Sequence, residues 1–153
     1  MKKAQAAMEY LMTYGWAILI VIIVAAALVA LGVFDPCTWS PPAATGFSVF
    51  TVPSGGWNYN STGFEIVLKN TMGGGSVEVT DIDATYGSTS SSSITPANAT
   101  LGVGDQQTFL VNSGFGNSAP ATGSCYSLDV VVTYKTAQGL SSTESGTITG
   151  RAS

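Results

Sequence analysis

Histidine is absent from this 153-residue chain, charged residues make up only 9% of it, and there are just two cysteines. Without histidine the commonest general base and the commonest metal ligand are missing, and no nucleophile–base pair built on an imidazole is possible. Five Lys+Arg against nine Asp+Glu, a net charge of −4, cannot form the basic footprint of a nucleic-acid binder. A disordered acidic tail needs high net charge and little apolar content, yet 45% of these residues are hydrophobic. The expectation is therefore a protein that is not an enzyme, with no catalytic residue, no metal, no cofactor and no nucleic-acid partner.

Charge is also unevenly distributed. From Tyr10 to Phe34 there is no charged residue at all, and a helix of that length spans about 37 Å, enough to cross the roughly 30 Å hydrocarbon core of a bilayer. The apolar part of a cleaved secretory signal is shorter, about 7–15 residues, so the segment is expected to be retained. Lys2 and Lys3 are the only basic residues on its N-terminal side, which keeps that end cytoplasmic and places the rest of the chain outside. Asp35-Pro36 marks the expected end of the helix, because the residue before a proline is pushed out of the helical region.

Beyond this point Gly, Ser, Thr, Asn and Pro clusters separate short runs that alternate with a period of two. The clearest are Phe47–Val52, Phe64–Asn70, Val77–Ala84, Thr108–Asn112, Leu128–Lys135 and Ser142–Thr149. Phe64, Ile66 and Leu68 share one face of their run, as do Leu128, Val130, Val132 and Tyr134 of theirs. The phase slips between Val79 and Ile82, which predicts a bulge. Tyr86–Asn98, with its serine-rich run, is the longest expected loop. Such a set of strands predicts a small antiparallel β-sandwich, immunoglobulin-like in architecture, so the fold class is α+β: a long hydrophobic N-terminal helix followed by a sandwich head.

Cys37 lies just past the apolar segment and Cys125 just before the run at Leu128. An oxidising exterior permits their one possible pairing; two buried free thiols are the alternative. The disulfide would close a loop of nearly 90 residues, contributing about 4–5 kcal/mol in the chain-entropy model, and would pin the head to the end of the helix.

The N-terminus reads Lys2-Lys3-Ala4-Gln5-Ala6-Ala7-Met8-Glu9-Tyr10-Leu11: a short basic leader, a small residue, Gln, then a single glutamate before the apolar run. This resembles the class III signal peptide of archaeal type IV pilins, and Met8–Leu19, MEYLMTYGWAIL, is similar to the opening of archaeal adhesion-pilus subunits. The resemblance covers about residues 2–34 and is only architectural over the head. It implies cleavage by a prepilin peptidase between Ala4 and Gln5, hence a leader of residues 1–4, a helix of residues 5–35 and a head of residues 36–153. It further implies a helical filament of identical subunits, an assembly ATPase and a membrane platform protein as partners, and adhesion as the task. The precursor would lie in the cytoplasmic membrane with its head outside, and the mature subunit in an extracellular pilus.

By the same resemblance, Glu9 pairs with the new amine of Gln5 on a neighbouring subunit and sets axial register; an interfacial glutamate with no partner is the plainer alternative. A helix apolar on every side is a membrane span or the core of an assembly, and here it can serve as each in turn. Two other readings stay open: a membrane-anchored β-domain that binds a ligand and never polymerises, and a minor pilin.

Asn60-Ser61-Thr62 and Asn98-Ala99-Thr100 are N-glycosylation acceptor sequences expected in loops, and the 18 serines and 18 threonines would also suit O-linked sugars. Gly73-Gly74-Gly75 has no Lys-Ser/Thr after it and fits a hairpin better than a phosphate cradle. Asp81, Asp83 and Glu78 read as a solvated strand edge rather than a cation site. Trp39, Trp57 and Tyr59 could stack on sugar rings, but core or subunit-contact roles are expected.

Overall fold

The computed structural model describes residues 2–34, 36–39, 41–112 and 119–153. The chain divides into two units, Met1–Ser40 and Pro41–Ser153.

In the first unit a long helix, α1, runs from Lys2 to Ala30. Its Ile- and Val-rich stretch has modest helix propensity in water, but in apolar surroundings a helix satisfies its own backbone groups and no competing solvent opens them. The helix ends five residues before the expected stop. Gly32 takes φ +65°, its N–H donates to the Val29 carbonyl at 3.0 Å, and the Val33 N–H donates to the Leu28 carbonyl at 3.1 Å. This is a Schellman cap, whose left-handed residue glycine adopts at little cost. Asp35, the expected stop, lies outside the described residues. A one-turn helix, α2 (Pro36–Trp39), follows, and the indole N–H of Trp39 donates to the Val33 carbonyl at 2.8 Å.

The second unit is two antiparallel sheets. One contains β1 (Ala43–Thr45), β11 (Ser141–Arg151), β10 (Cys125–Thr136), β5 (Val77–Tyr86) and β6 (Thr89–Ser91) in that order, with β8 (Ala99–Leu101) also paired to β5. The other contains β2 (Phe50–Thr51), β4 (Gly63–Asn70), β9 (Gln106–Asn112) and β7 (Ile94–Thr95), with β3 (Trp57–Asn60) also paired to β4. Alternation decides which side chains meet between them. Phe64, Ile66 and Leu68 from β4, Phe109 and Val111 from β9, and Val79, Ile82, Leu128, Val130, Val132 and Ile148 from the facing sheet are all fully buried in one cluster. At roughly 1.5–3 kcal/mol for each large apolar side chain removed from water, this cluster is the main stabilising term of the head.

The bulge falls where the phase slips. Tyr134 pairs with Val79 and Thr133 with Asp81, so Thr80 is the extra residue, and its hydroxyl donates to the Thr133 carbonyl at 3.0 Å. The Tyr86–Asn98 segment departs from expectation: β6 pairs with the first sheet and β7 with the second, so the chain changes sheet between Ser91 and Ile94. The Ser91 hydroxyl donates to the Asn112 carbonyl at 2.5 Å and the Asn112 N–H to the Ser93 carbonyl at 2.7 Å, tying the crossing down. Serine and threonine give no hydrophobic alternation, which is why a sequence pattern reads this stretch as loop.

The outer face of the first sheet mixes hydroxyls with charged side chains, Glu78, Asp81, Asp83, Asp129 and Lys135 among them. One cross-strand row runs Thr45, Thr147, Asp129, Thr85, Ser90, with the Thr147 hydroxyl donating to Asp129 at 3.1 Å.

Candidate functional site

The most conspicuous surface of the chain is α1 itself. Every described side chain from Ala4 to Ala30 is exposed, and the 27 residues of that stretch are long and apolar enough to cross a membrane. Fifteen large apolar side chains between Met8 and Val29 face outward. Removing that many from water is worth on the order of 20–40 kcal/mol, more than the roughly 5–15 kcal/mol by which a whole domain is stable. Water is therefore not the medium this helix is built for; a lipid bilayer or other protein must cover it.

The residues singled out at its N-terminal end lie on this helix. Gln5 and Glu9 are four residues apart, hence on one face, and both are exposed. Glu9's carbonyl accepts the Thr13 hydroxyl at 3.0 Å, and on the adjoining face the Tyr10 and Tyr14 rings are 4.1 Å apart. The Ala4–Gln5 bond is in the first turn, where backbone N–H groups lack intrahelical acceptors. A helix that began at Gln5 would carry Glu9 just inside its N-terminus, where negative charge is favourable.

Cys37 and Cys125 are both disulfide-bonded, and the sequence has no other cysteine, so the pairing is Cys37–Cys125. An N-terminal apolar helix of this kind is that of a membrane anchor or a signal sequence, and a disulfide belongs to an oxidising, extracellular setting.

Of the two acceptor asparagines, Asn60 is the last residue of β3 rather than a loop residue. Its side-chain carbonyl accepts the Thr62 N–H at 2.9 Å, the Gly63 N–H at 3.2 Å and the Thr62 hydroxyl. The turn thus brings the asparagine and the threonine of the acceptor sequence into contact and directs all three bonds to the carbonyl oxygen. Asn98 is exposed, with φ +53°, in the turn before β8.

The aromatic residues separate. Tyr59 is fully buried and edge-on to Phe64, Tyr86 and Tyr126 at 6.2, 5.9 and 5.3 Å. Desolvation, with a smaller contribution from Tyr86, pushes its phenol up to about 12. Trp57 is half-buried against the same cluster. Both are core, whereas Trp39 is 70% exposed. Among the described residues no group of three or more His, Cys, Asp or Glu is placed to hold a metal ion; Asp83 is held above the ordinary carboxyl range by desolvation and by its neighbour Asp81.

Comparison with known proteins finds no matching family model, no similar curated protein and no similar solved structure.

Two buried polar residues escape a sequence reading. Glu144, 8% exposed, receives the Ser48, Val49 and Phe50 backbone N–H groups, the last two at 2.7 and 3.1 Å, and the Ser48 hydroxyl at 2.7 Å. One carboxylate thereby holds the segment that leads from β1 in one sheet to β2 in the other. Asn70, fully buried, donates to the Gly75 and Leu101 carbonyls, both at 3.1 Å, and accepts the Met72 N–H at 2.9 Å, fixing the glycine-rich hairpin before β5. The signal for Glu144 was present: it sits in phase with Ile148 on the inward face of its strand, where an unpaired acid needs donors.

Proposed function

We propose that the chain is a structural subunit of an archaeal type IV-like adhesion pilus, with helices packed into a filament core and β-sandwich heads forming the outer surface. The observation that carries this reading is the helix that is apolar and exposed on all sides, opened by the Lys2–Leu11 leader pattern and followed by an independent sandwich. Cleavage between Ala4 and Gln5 by a prepilin peptidase removes both leader lysines, making the formal charge of −4 more negative by two and releasing the cytoplasmic anchor. An assembly ATPase and a platform protein then move the subunit out of the bilayer. Neighbouring copies replace lipid around the helix, and Ala25, Ala26, Ala27 and Ala30 allow close approach. Heterologous contacts that do not close generate an open helical filament.

Glu9 of one subunit meets the Gln5 amine of the next. A carboxylate at a bilayer centre costs about 2.5–3.5 kcal/mol, and pairing offsets that cost inside an equally dry filament core. Glycans on Asn60 and Asn98 hydrate a head with few ions. The test is mass spectrometry and electron microscopy of material sheared from native cells, beside cells carrying Glu9→Ala. The reading requires filaments built from a protein beginning at Gln5, and a variant that is processed and membrane-inserted but forms few filaments. A protein that begins at Met1 and stays in membranes after shearing would make it a membrane-anchored binding domain. Trace amounts in filaments of another subunit would make it a minor pilin.

A further inference from the structure

Residues 17–33 contain no aromatic and no charged side chain. As the helical end of α1 and its closing turn they cover about 25 Å, near the thickness of a bilayer's hydrocarbon core. Aromatic residues gather at both ends of this stretch: Tyr10, Tyr14 and Trp16 before it, Phe34 and Trp39 after it. Phe34 and Trp39 are 71% and 70% exposed, and among the described residues they are the two Phe or Trp rings outside α1 that remain uncovered. The indole N–H of Trp39 is already bonded to the Val33 carbonyl at 2.8 Å, an acceptor of the kind that the end of a helix leaves unsatisfied. With its single polar atom engaged, the ring presents only hydrocarbon.

We propose that Phe34 and Trp39 form the outer interfacial anchor of the membrane-inserted chain, seated in the lipid just beneath the headgroups and paired with the Tyr10–Trp16 cluster at the cytoplasmic interface. The inference rests on the reading that α1 crosses a bilayer before assembly, and it adds the depth at which the chain is held. Aromatic rings collect at the two membrane–water boundaries because their bodies are apolar and the boundary is only partly wet. Helix-to-helix packing in a filament gives no reason for an aromatic-free centre bracketed by rings, so the spacing favours lipid as the occupant. The satisfied indole lets Trp39 sink beneath the headgroups without stranding a donor. The anchor holds the first residues of the head at the membrane surface until the subunit is extracted.

The test uses the full chain in phosphatidylcholine vesicles carrying bromine on either shallow or deep acyl carbons. The Trp16→Phe protein and the Trp16→Phe/Trp39→Phe protein both retain Trp57 and differ only at Trp39, so their difference spectrum is that of Trp39. It should be blue-shifted and lose more intensity to shallow than to deep bromines. Trp16, obtained in the same way from the Trp39→Phe pair, reports on the span itself. A water-like, unquenched Trp39 beside a quenched Trp16 would overturn the anchor and leave the span standing. Deeper quenching of Trp39 than of the shallow level would also overturn it. If neither residue is quenched, the membrane-spanning reading fails with it.

Discussion

Replacing Glu144 is the sharpest probe of what holds the two sheets of the head in register. Its carboxylate accepts three consecutive backbone N–H groups and one hydroxyl from Ser48, Val49 and Phe50. In Glu144→Ala all four donors lose their acceptor. Ser48 is exposed and water replaces the lost bonds there, Val49 is half-buried, and Phe50 is 1% exposed, so the Phe50 N–H is stranded. A stranded buried donor costs about 1–3 kcal/mol, and hydrogen bonds to a charged group about 1.5–3 kcal/mol each; with partial rescue by water the sum is about 3–4 kcal/mol. For a head of this size that lowers Tm by roughly 10–20 °C. Glu144→Gln keeps one acceptor oxygen but turns an amide N–H₂ toward N–H donors, and should fall between, at about 1–2 kcal/mol. The assay is thermal unfolding of the full chain in mild detergent, followed by near-ultraviolet circular dichroism of the buried tyrosines. If Glu144→Ala stays within about 0.5 kcal/mol of the parent, the range of ordinary surface substitutions, the carboxylate is not what secures this crossing.

Three further outcomes follow from the head. A Cβ on Gly146 would stand 2.5–2.6 Å from the Phe47 ring and the Thr45 carbonyl, so Gly146→Ala should destabilise by about 1–3 kcal/mol and lower the same thermal midpoint. Tyr59 and Tyr126, both pushed up to about 12 chiefly by desolvation, keep their protons in the fold when free tyrosine loses them near 10. Their contribution is therefore complete below about pH 10 and disappears as pH rises towards 12; a pH series of denaturant midpoints should fall through that window. Replacing both cysteines by serine opens the loop between Cys37 and Cys125 and should cost about 4–5 kcal/mol in the chain-entropy model, read as a lower denaturant midpoint that added reductant no longer changes.

The strands that were legible in the sequence are those whose alternation involves large side chains: Phe64, Ile66 and Leu68, or Leu128 through Tyr134, could face only one way. Even the bulge was visible, because Val79 and Ile82 are both buried while being three residues apart. The short strands at Thr89–Ser91 and Ile94–Thr95 were not, since Ser and Thr fit either face; the first folds straight back on β5, while the second finds its partner only at Val111 and Leu110 of β9. The end of α1 was placed late because a proline restricts its predecessor strongly, whereas the cap at Gly32 depends on the Val29 and Leu28 carbonyls being free to receive the Gly32 and Val33 N–H groups. Trp57, Tyr59 and Trp39 look alike as aromatic residues, and only packing separates the two core rings from the exposed one. Glu144 was obscured by its setting among Ser, Thr and Gly, where the inward face of the strand is hard to tell from the outward one until Ile148.

The row of Thr45, Thr147, Asp129, Thr85 and Ser90 has a consequence for where such a surface can operate. Hydroxyl groups bind water through fixed local dipoles, whereas charged side chains interact through fields that dissolved ions screen over about 10 Å at 0.1 M salt and only about 3 Å at 1 M. A row that is wet by hydroxyls with one carboxylate among them has little field to lose. The hydration of that row should be nearly the same in dilute water and in brine, whereas Asp81 and Asp83, on neighbouring rows of the same face, carry the part of the surface that salt can screen.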